Sequence, residues 1–190
     1  MGYDTEEDAI GYNNHKESLY VIQIEIPTTR NLLNFNLKGK RVIDMACGSG
    51  HSTKILADLE PDELIGVDLS DRMIDLANKL FNNHFNSNYS MMKFHTGNCM
   101  NNLQFGQFDV VFSSHLLNYF EDKNDLLKVY KSMFEQTKPG GICCGLLANP
   151  FLDYKNFRDP DRYRLYGVEP EILSSEFPFK IRKNLLYQNK

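Results

Sequence analysis

The sequence predicts an α/β fold, a mostly parallel β-sheet with helices on both faces. Three observations carry that expectation. Short β-rich runs alternate with helical periodicity across residues 41–148, the first strand and helix meet in a glycine turn, and an aspartate lies at or near the end of each of the first two strands. Strand–helix–strand units cross over right-handedly, which makes neighbouring strands parallel.

The first strand is R-V-I-D-M-A at 41–46, and H-S-T-K-I-L-A-D-L at 51–59 reads as the helix that follows the turn. L-I-G-V-D at 64–68 is the second strand. It leads to a helix with Met73, Ile74, Ala77, Leu80 and Phe81 on one face and Ser70 placed to cap it. The Asn-rich stretch at 82–88 is a solvated connection. M-M-K-F-H-T-G-N-C at 91–99 and F-D-V-V-F at 108–112 supply two more strands, with little helix between them. From Glu121 to Lys138, the apolar residues Leu126, Leu127, Tyr130, Met133 and Phe134 recur at helical spacing until K-P-G-G at 138–141 stops the helix. The fifth strand is I-C-C-G-L-L-A, an apolar run that reads as buried. This order is Rossmann-like, so the residues just beyond the carboxyl ends of the strands are where a ligand is expected.

The whole chain is read as a single domain in three parts. Residues 1–37 form an N-terminal helical cover that includes K-E-S-L-Y-V-I-Q-I, and residues 38–148 form the ligand-binding core. Residues 149–190 form a lid, in which Lys155, Arg158, Arg162 and Arg164 interleave with Asp153, Asp159 and Asp161 as a solvated charge mosaic, followed by one edge strand in F-K-I-R-K-N-L-L-Y. The C-terminal strands of the sheet are expected to be incomplete, leaving an apolar edge open to self-association.

Composition narrows the function. The chain has 190 residues, 42% of them hydrophobic, and a formal net charge of -4. A domain of this size buries roughly 70% of its unfolded surface and needs no disulfide or structural metal to hold a core. A negative balance gives no electrostatic footprint for nucleic acid. No apolar run approaches the roughly 20 residues of a membrane span. The acidic N-terminus has no signal-like order, and Cys47, Cys99, Cys143 and Cys144 have no zinc spacing, so reduced thiols and a cytoplasmic location are expected.

The chemistry concentrates in V-I-D-M-A-C-G-S-G, where Gly48 and Gly50 let backbone approach a ligand and the next helix presents free amides. Asp44 lies inside the end of the first strand, and Asp68 ends the second. An acid at the second position can accept both hydroxyls of a ribose diol. A dinucleotide fingerprint needs a third glycine where Thr53 stands, and the charge of Asp44 would oppose a pyrophosphate. That charge suits a ligand with an ammonium and no phosphate, and S-adenosylmethionine is such a ligand.

V-I-D-M-A-C-G-S-G, L-I-G-V-D-L-S-D-R-M, H-T-G-N-C, F-D-V-V-F-S-S-H-L-L and K-P-G-G, in this order over residues 38–148, resemble the class I S-adenosylmethionine-dependent methyltransferases. The resemblance implies that the turn at Ala46, Cys47, Gly48 and Gly50 flanks the methionine moiety and that Asp68 holds the ribose. It also implies that Leu69 and Met73 pack on adenine, while Asn98 and the Cys99 amide read its edge. Ala46 departs from the family's usual glycine, and Asn98 from its frequent aspartate. The segment S-S-H-L-L-N-Y-F at 113–120 should face the methyl group. It makes Ser113 a cofactor neighbour, and His115 and Tyr119 candidates for proton transfer or acceptor contact. A-I-G-Y, ending at Tyr12, resembles the cover of small-molecule members, and Tyr20 is placed to close the same pocket.

The expected activity is in-line transfer of a methyl group to a small-molecule acceptor, with S-adenosylhomocysteine as product and no metal required. Two other readings stand beside it. One is an RNA or protein methyltransferase guided by a partner that supplies the missing positive charge. The other is an S-adenosylmethionine-binding module without catalysis.

Overall fold

The computed structural model describes residues 21–81 and 89–147, together with the backbone of two further strands at 168–174 and 180–185. Its centre is a five-stranded sheet of β1 (Arg41–Met45), β2 (Glu63–Asp68), β3 (Met92–Thr96), β4 (Phe108–Ser114) and β5 (Thr137–Leu146), in the order β3-β2-β1-β4-β5. Neighbouring strands pair in parallel throughout. The chain builds outward from β1 to β3, then returns to lay β4 against the free side of β1. Strand order therefore reverses between β1 and β4, and the carboxyl ends there form the crevice in which such sheets bind ligands.

Alternation along the strands divides the core into two layers. Val42, Leu64, Phe94, Val110 and Phe112 face one way, covered by α2 (His51–Ala57) and α3 (Asp71–Phe81) through Leu56, Ala57, Ile74 and Ala77. Leu33 and Leu37, just beyond α1 (Ile26–Leu32), join this layer. Ile43, Met45, Ile65, Val67 and Val111 face the other way, onto Val129 and Met133 of α4 (Lys123–Gln136) and onto Cys99 and Leu103 of the β3–β4 connection. Ser70 caps α3 through its Oγ, which accepts from the Met73 N–H at 3.4 Å. Asp122 caps α4, its carboxylate accepting from the N–H groups of Asn124 and Asp125. Among the described residues no helix is long and apolar enough to cross a membrane.

The expected buried face of α4 needs correction. Leu127, Tyr130 and Phe134 face solvent, Phe134 at 80% exposure, while Ser132 and Gln136 are buried beside Val129 and Met133. Hydrogen bonds make that burial affordable: Ser132 Oγ donates to the Asn101 carbonyl at 2.8 Å, and Gln136 Nε2 donates to the Leu103 carbonyl at 2.9 Å. The helix is thereby stapled to the β3–β4 connection through polar groups, leaving its apolar stripe outward.

The fifth strand is also not buried as its composition implies. It forms the outer edge of the sheet, with Ile142 at 51% exposure and Cys143 exposed. K-P-G-G does end α4, and it also interrupts the β4–β5 ladder. Pairing passes from Phe108↔Thr137 to Val110↔Ile142, so the residues between loop out around Gly140 at φ 78°. A single C-terminal edge strand was expected. Instead β7 (Lys180–Leu185) pairs antiparallel with β6 (Val168–Ser174) in a separate two-stranded sheet. The expected lid at 149–167 and most of the N-terminal cover lie outside the described residues. The part of the cover that is described, Val21–Glu25, forms a widened helical turn running into α1.

Two features of the β1–α2 region rest on backbone geometry. Ala46, Gly48 and Gly50 all have left-handed conformations, at φ 63°, 55° and 86°. An L-residue there is disfavoured by about 1–2 kcal/mol, against which glycine loses roughly 0.5–1 kcal/mol of chain entropy. Ala46→Gly is therefore expected to stabilise the free protein by about 0.5–1 kcal/mol in urea unfolding, and a loss of stability would contradict the assigned conformation. Gly66 in β2 lies directly beneath the Phe94 ring, where a Cβ would come within 2.7 Å of Phe94 Cδ1 and 3.0 Å of Cys47 Sγ. Gly66→Ala should destabilise by about 1–3 kcal/mol through overpacking. Trimming the ring in Gly66→Ala/Phe94→Leu should recover part of that loss, and additive losses in the double variant would refute the contact.

Candidate functional site

Asp68 sits where β2 ends, beside the β1–α2 turn. Its Oδ2 accepts from the Gly48 N–H at 2.8 Å and its Oδ1 from the Ser70 N–H at 2.9 Å. These bonds leave lone-pair capacity on the carboxylate that a ligand's hydroxyls could use. Burial pushes the Asp68 pKa up, against the opposing pull of the Ser70, Gly48 and Leu69 amides. The turn is anchored to the same strand by the Cys47 N–H, which donates to the Val67 carbonyl at 3.0 Å.

Asp44 occupies a different position from the one its charge led us to expect. It is 0% exposed, and its Oδ2 accepts from Ser52 Oγ and Thr53 Oγ1, each at 2.7 Å. The carboxylate is buried against the start of α2 and fastens that helix to β1, away from the surface a ligand would meet. Ser52 and Thr53 are therefore part of the site's framework. Their hydroxyls at the helix start were the signal in the sequence that the acid faced inward.

The two apolar residues assigned to adenine separate. Leu69 is 68% exposed beside Asp68, whereas Met73 is 1% exposed and belongs to the core. Asn98 Oδ1, the atom expected to read an adenine amino group, accepts from the Met100 N–H at 2.9 Å and closes its own turn. Cys47 and Cys99 are both buried. Burial with the nearby Asp44 and Asp68 charges pushes the Cys47 thiol well up, and burial raises Cys99 to about 12, so both stay protonated at neutral pH. Ser113 is buried and lines a cavity of about 130 Å³ with Leu117, Cys144 and Leu146 at the carboxyl ends of β4 and β5. A cavity of about 350 Å³ between Met100–Asn102 and α4 includes none of the turn residues.

His115 follows β4 in a left-handed conformation, φ 63°, held by its N–H donating to the Leu146 carbonyl at 2.7 Å. Its Nε2 lies 2.5 Å from Oε1 of Glu25, a buried residue at the end of the N-terminal helical turn, and its Nδ1 lies 3.1 Å from the Asn118 amide. Glu25 and Asn118 were not anticipated, and no local motif announces a partner 90 positions away in the chain. Tyr119 stands exposed on the short helical turn Leu116–Tyr119. Tyr12 and Tyr20 lie outside the described residues.

The sequence profile of the family described as "Methyltransferase domain" matches residues 36–173. YqeM of Bacillus subtilis (strain 168), a protein with a methyltransferase name, is 36% identical over 104 residues, covering 54% of this chain and 40% of YqeM. A phosphoethanolamine N-methyltransferase of Triticum aestivum is 29% identical over 152 residues, covering 76% of this chain and 29% of the wheat protein. This chain thus spans less than half the length of these curated relatives. Among solved structures, the DhpI–SAM–HEP complex superimposes with a TM-score of 0.63 at 18% identity, covering 95% of this chain and 77% of that one, a likeness of fold. The profile match extends over most of the chain and takes in the turn, both aspartates and the β4 end, so the chain belongs to the methyltransferase domain family.

Proposed function

We propose that the chain is an S-adenosylmethionine-dependent methyltransferase domain acting on a small-molecule acceptor. The observation that carries this reading is the Asp68 carboxylate, tied to the Gly48 and Ser70 amides yet still able to accept a ribose diol. The left-handed turn from Ala46 to Gly50 flanks the methionine moiety, Leu69 supplies an apolar surface for adenine, and the segment from Ser113 to Tyr119 faces the acceptor. Asn98 and Cys99 border the adenine edge as backbone and turn. Asp44 serves from behind by fixing α2. When bound, S-adenosylmethionine supplies a methyl group already activated by its sulfonium and leaves as S-adenosylhomocysteine. A small acceptor fits the net charge of -4, which gives no basic surface for nucleic acid, and the wheat relative is itself named for a small amine. A reducing, cytoplasmic setting accords with four free cysteines.

Calorimetry with S-adenosylmethionine, S-adenosylhomocysteine and NAD tests the reading. Binding of the first two but not the third is expected, and Asp68→Ala should weaken it by about 2–4 kcal/mol through loss of two charge-assisted hydrogen bonds. The ionised carboxylate is the form that accepts the diol. Because burial raises the Asp68 pKa, affinity should decline on acidification at a pH above the ordinary aspartate value of about 3.9. Preference for NAD, or an affinity untouched by Asp68→Ala, would overturn the assignment.

The outer side of β5 also supports self-association. Ile142 and Cys143 are exposed there, and α4 exposes Leu127, Tyr130 and Phe134. Sedimentation should show concentration-dependent dimers that Ile142→Lys reduces to monomers, and a monomer at every concentration would refute this.

A further inference from the structure

The cavity of about 130 Å³ at the carboxyl ends of β4 and β5 holds a polar group that the fold does not use. Ser113 is 3% exposed, and among the described residues no group hydrogen-bonds its Oγ. A buried hydroxyl left without a partner is destabilising, so its retention at a cavity wall points to a ligand. The rest of the wall is apolar. Leu117 and Met133 supply one part of it and Leu146 and Leu147 another, Leu147 being exposed at the mouth, and no lining residue carries an ionised group. Burial raises the Cys143 thiol and pushes Cys144 up to about 11, so both sulfurs at the wall stay neutral at neutral pH.

A glycine keeps the hydroxyl uncovered. Ser113 pairs with Gly145 across the β4–β5 ladder, and a Cβ at Gly145 would come within 3.0 Å of Ser113 Oγ and 2.0 Å of the Ser113 carbonyl. Bare backbone there lets β5 approach β4 and leaves space beside the Oγ. The cavity is also close to the turn proposed to flank the methyl donor. Phe112 pairs with Asp44 of β1, so Ser113, the next residue, stands one strand spacing of about 4.8 Å from the end of β1. By alternation Ser113 shares a side of the sheet with Val111, in the layer that also holds Met45 and Met133. A ligand in the cavity therefore sits on the side of β1 where strand order reverses.

We propose that this cavity is an acceptor subsite that takes an uncharged apolar group the size of a six-membered ring, bearing one hydrogen-bonding atom for Ser113. This rests on the methyltransferase reading and names the acceptor class for it, a neutral aryl or cyclic compound. Volume sets the size, since a dry apolar cavity of about 150 Å³ accepts benzene. The wall sets the class. It offers one hydroxyl and no counter-charge, so nothing in it would offset the desolvation of a phosphate, a carboxylate or an ammonium.

Phenol, benzene and benzoate share a ring and differ in polarity and charge. Carbon NMR of the full chain, labelled at the methionine methyls, tests the assignment with these three probes. Phenol and benzene should each shift the Met133 methyl resonance and leave that of Met92, buried in the opposite layer, unmoved. Benzoate at the same concentration should shift neither. Ser113→Ala should weaken phenol about 3- to 10-fold without weakening benzene, the pattern of one lost hydrogen bond in an intact cavity. Cys143→Phe, at an exposed position of the wall, should block both probes. An unmoved Met133, or a benzoate shift as large as that of phenol, overturns the proposal, and the wild-type spectra decide this even if a variant fails to fold. Equal losses of phenol and benzene in Ser113→Ala, or a loss of S-adenosylhomocysteine affinity in place of phenol affinity, would refute the role of the hydroxyl. Calorimetry with S-adenosylhomocysteine on the wild type keeps the two levels apart. If it does not bind, the methyltransferase reading fails and takes the acceptor role with it; if it binds and phenol does not, the subsite alone fails.

Discussion

A carboxylate taken wholly out of water costs several kcal/mol unless its oxygens are met by donors. At Asp44 the hydroxyls of Ser52 and Thr53 both donate to Oδ2, and in doing so fix the first turn of α2 against the end of the central strand. The intervening residues have no slack. Cys47 is tied to Val67, Gly50 is roofed by the Phe81 and Phe94 rings, and the chain passes through three left-handed residues to bridge the gap. The Gly48 amide is thereby brought to Asp68 on the neighbouring strand. The exposed side of the site is thus set by an acid that never reaches it.

Much of this architecture is legible in the sequence, for physical reasons that also explain the failures. β1, β2 and β4 are interior strands of a parallel sheet, and their continuous apolar runs reflect burial on both faces. β5 carries the same kind of run while forming the edge, because apolar content does not say whether a further strand lies alongside. The stripe of Leu127, Tyr130 and Phe134 on α4 misleads for a related reason. Hydrophobic periodicity assumes that polar residues face water, and Ser132 and Gln136 escape that rule by hydrogen bonding to carbonyls of the β3–β4 connection. The C-terminal hairpin was only half visible, since Pro170 and the two glutamates of β6 dilute its strand character.

At the candidate site, the sequence places Asp68 at the end of β2 because a strand end is marked by where the apolar run stops. It does not reveal that Asp44 is buried against α2, because that depends on which face of a strand a side chain occupies. Val42 and Asp44 share one face by alternation, and that face proves to be the one α2 covers. Glu25 was beyond reach of either argument, since only the folded chain brings it to His115.

Two residues of the candidate site carry a cost in stability. Ala46 keeps a left-handed conformation that glycine would hold with less strain, and Asp68 is buried deeply enough to raise its pKa. A raised carboxylate pKa means the native state binds the proton more tightly than the unfolded chain. Stability therefore falls as pH rises from the unfolded value, about 3.9, through the raised native one, and the cost persists at neutral pH. A carboxylate that served only the fold would gain from deeper hydrogen bonding or from replacement. Asp68 instead remains partly exposed at the end of β2, held by the Gly48 and Ser70 amides, where the hydroxyls of a ligand would meet its remaining lone pairs.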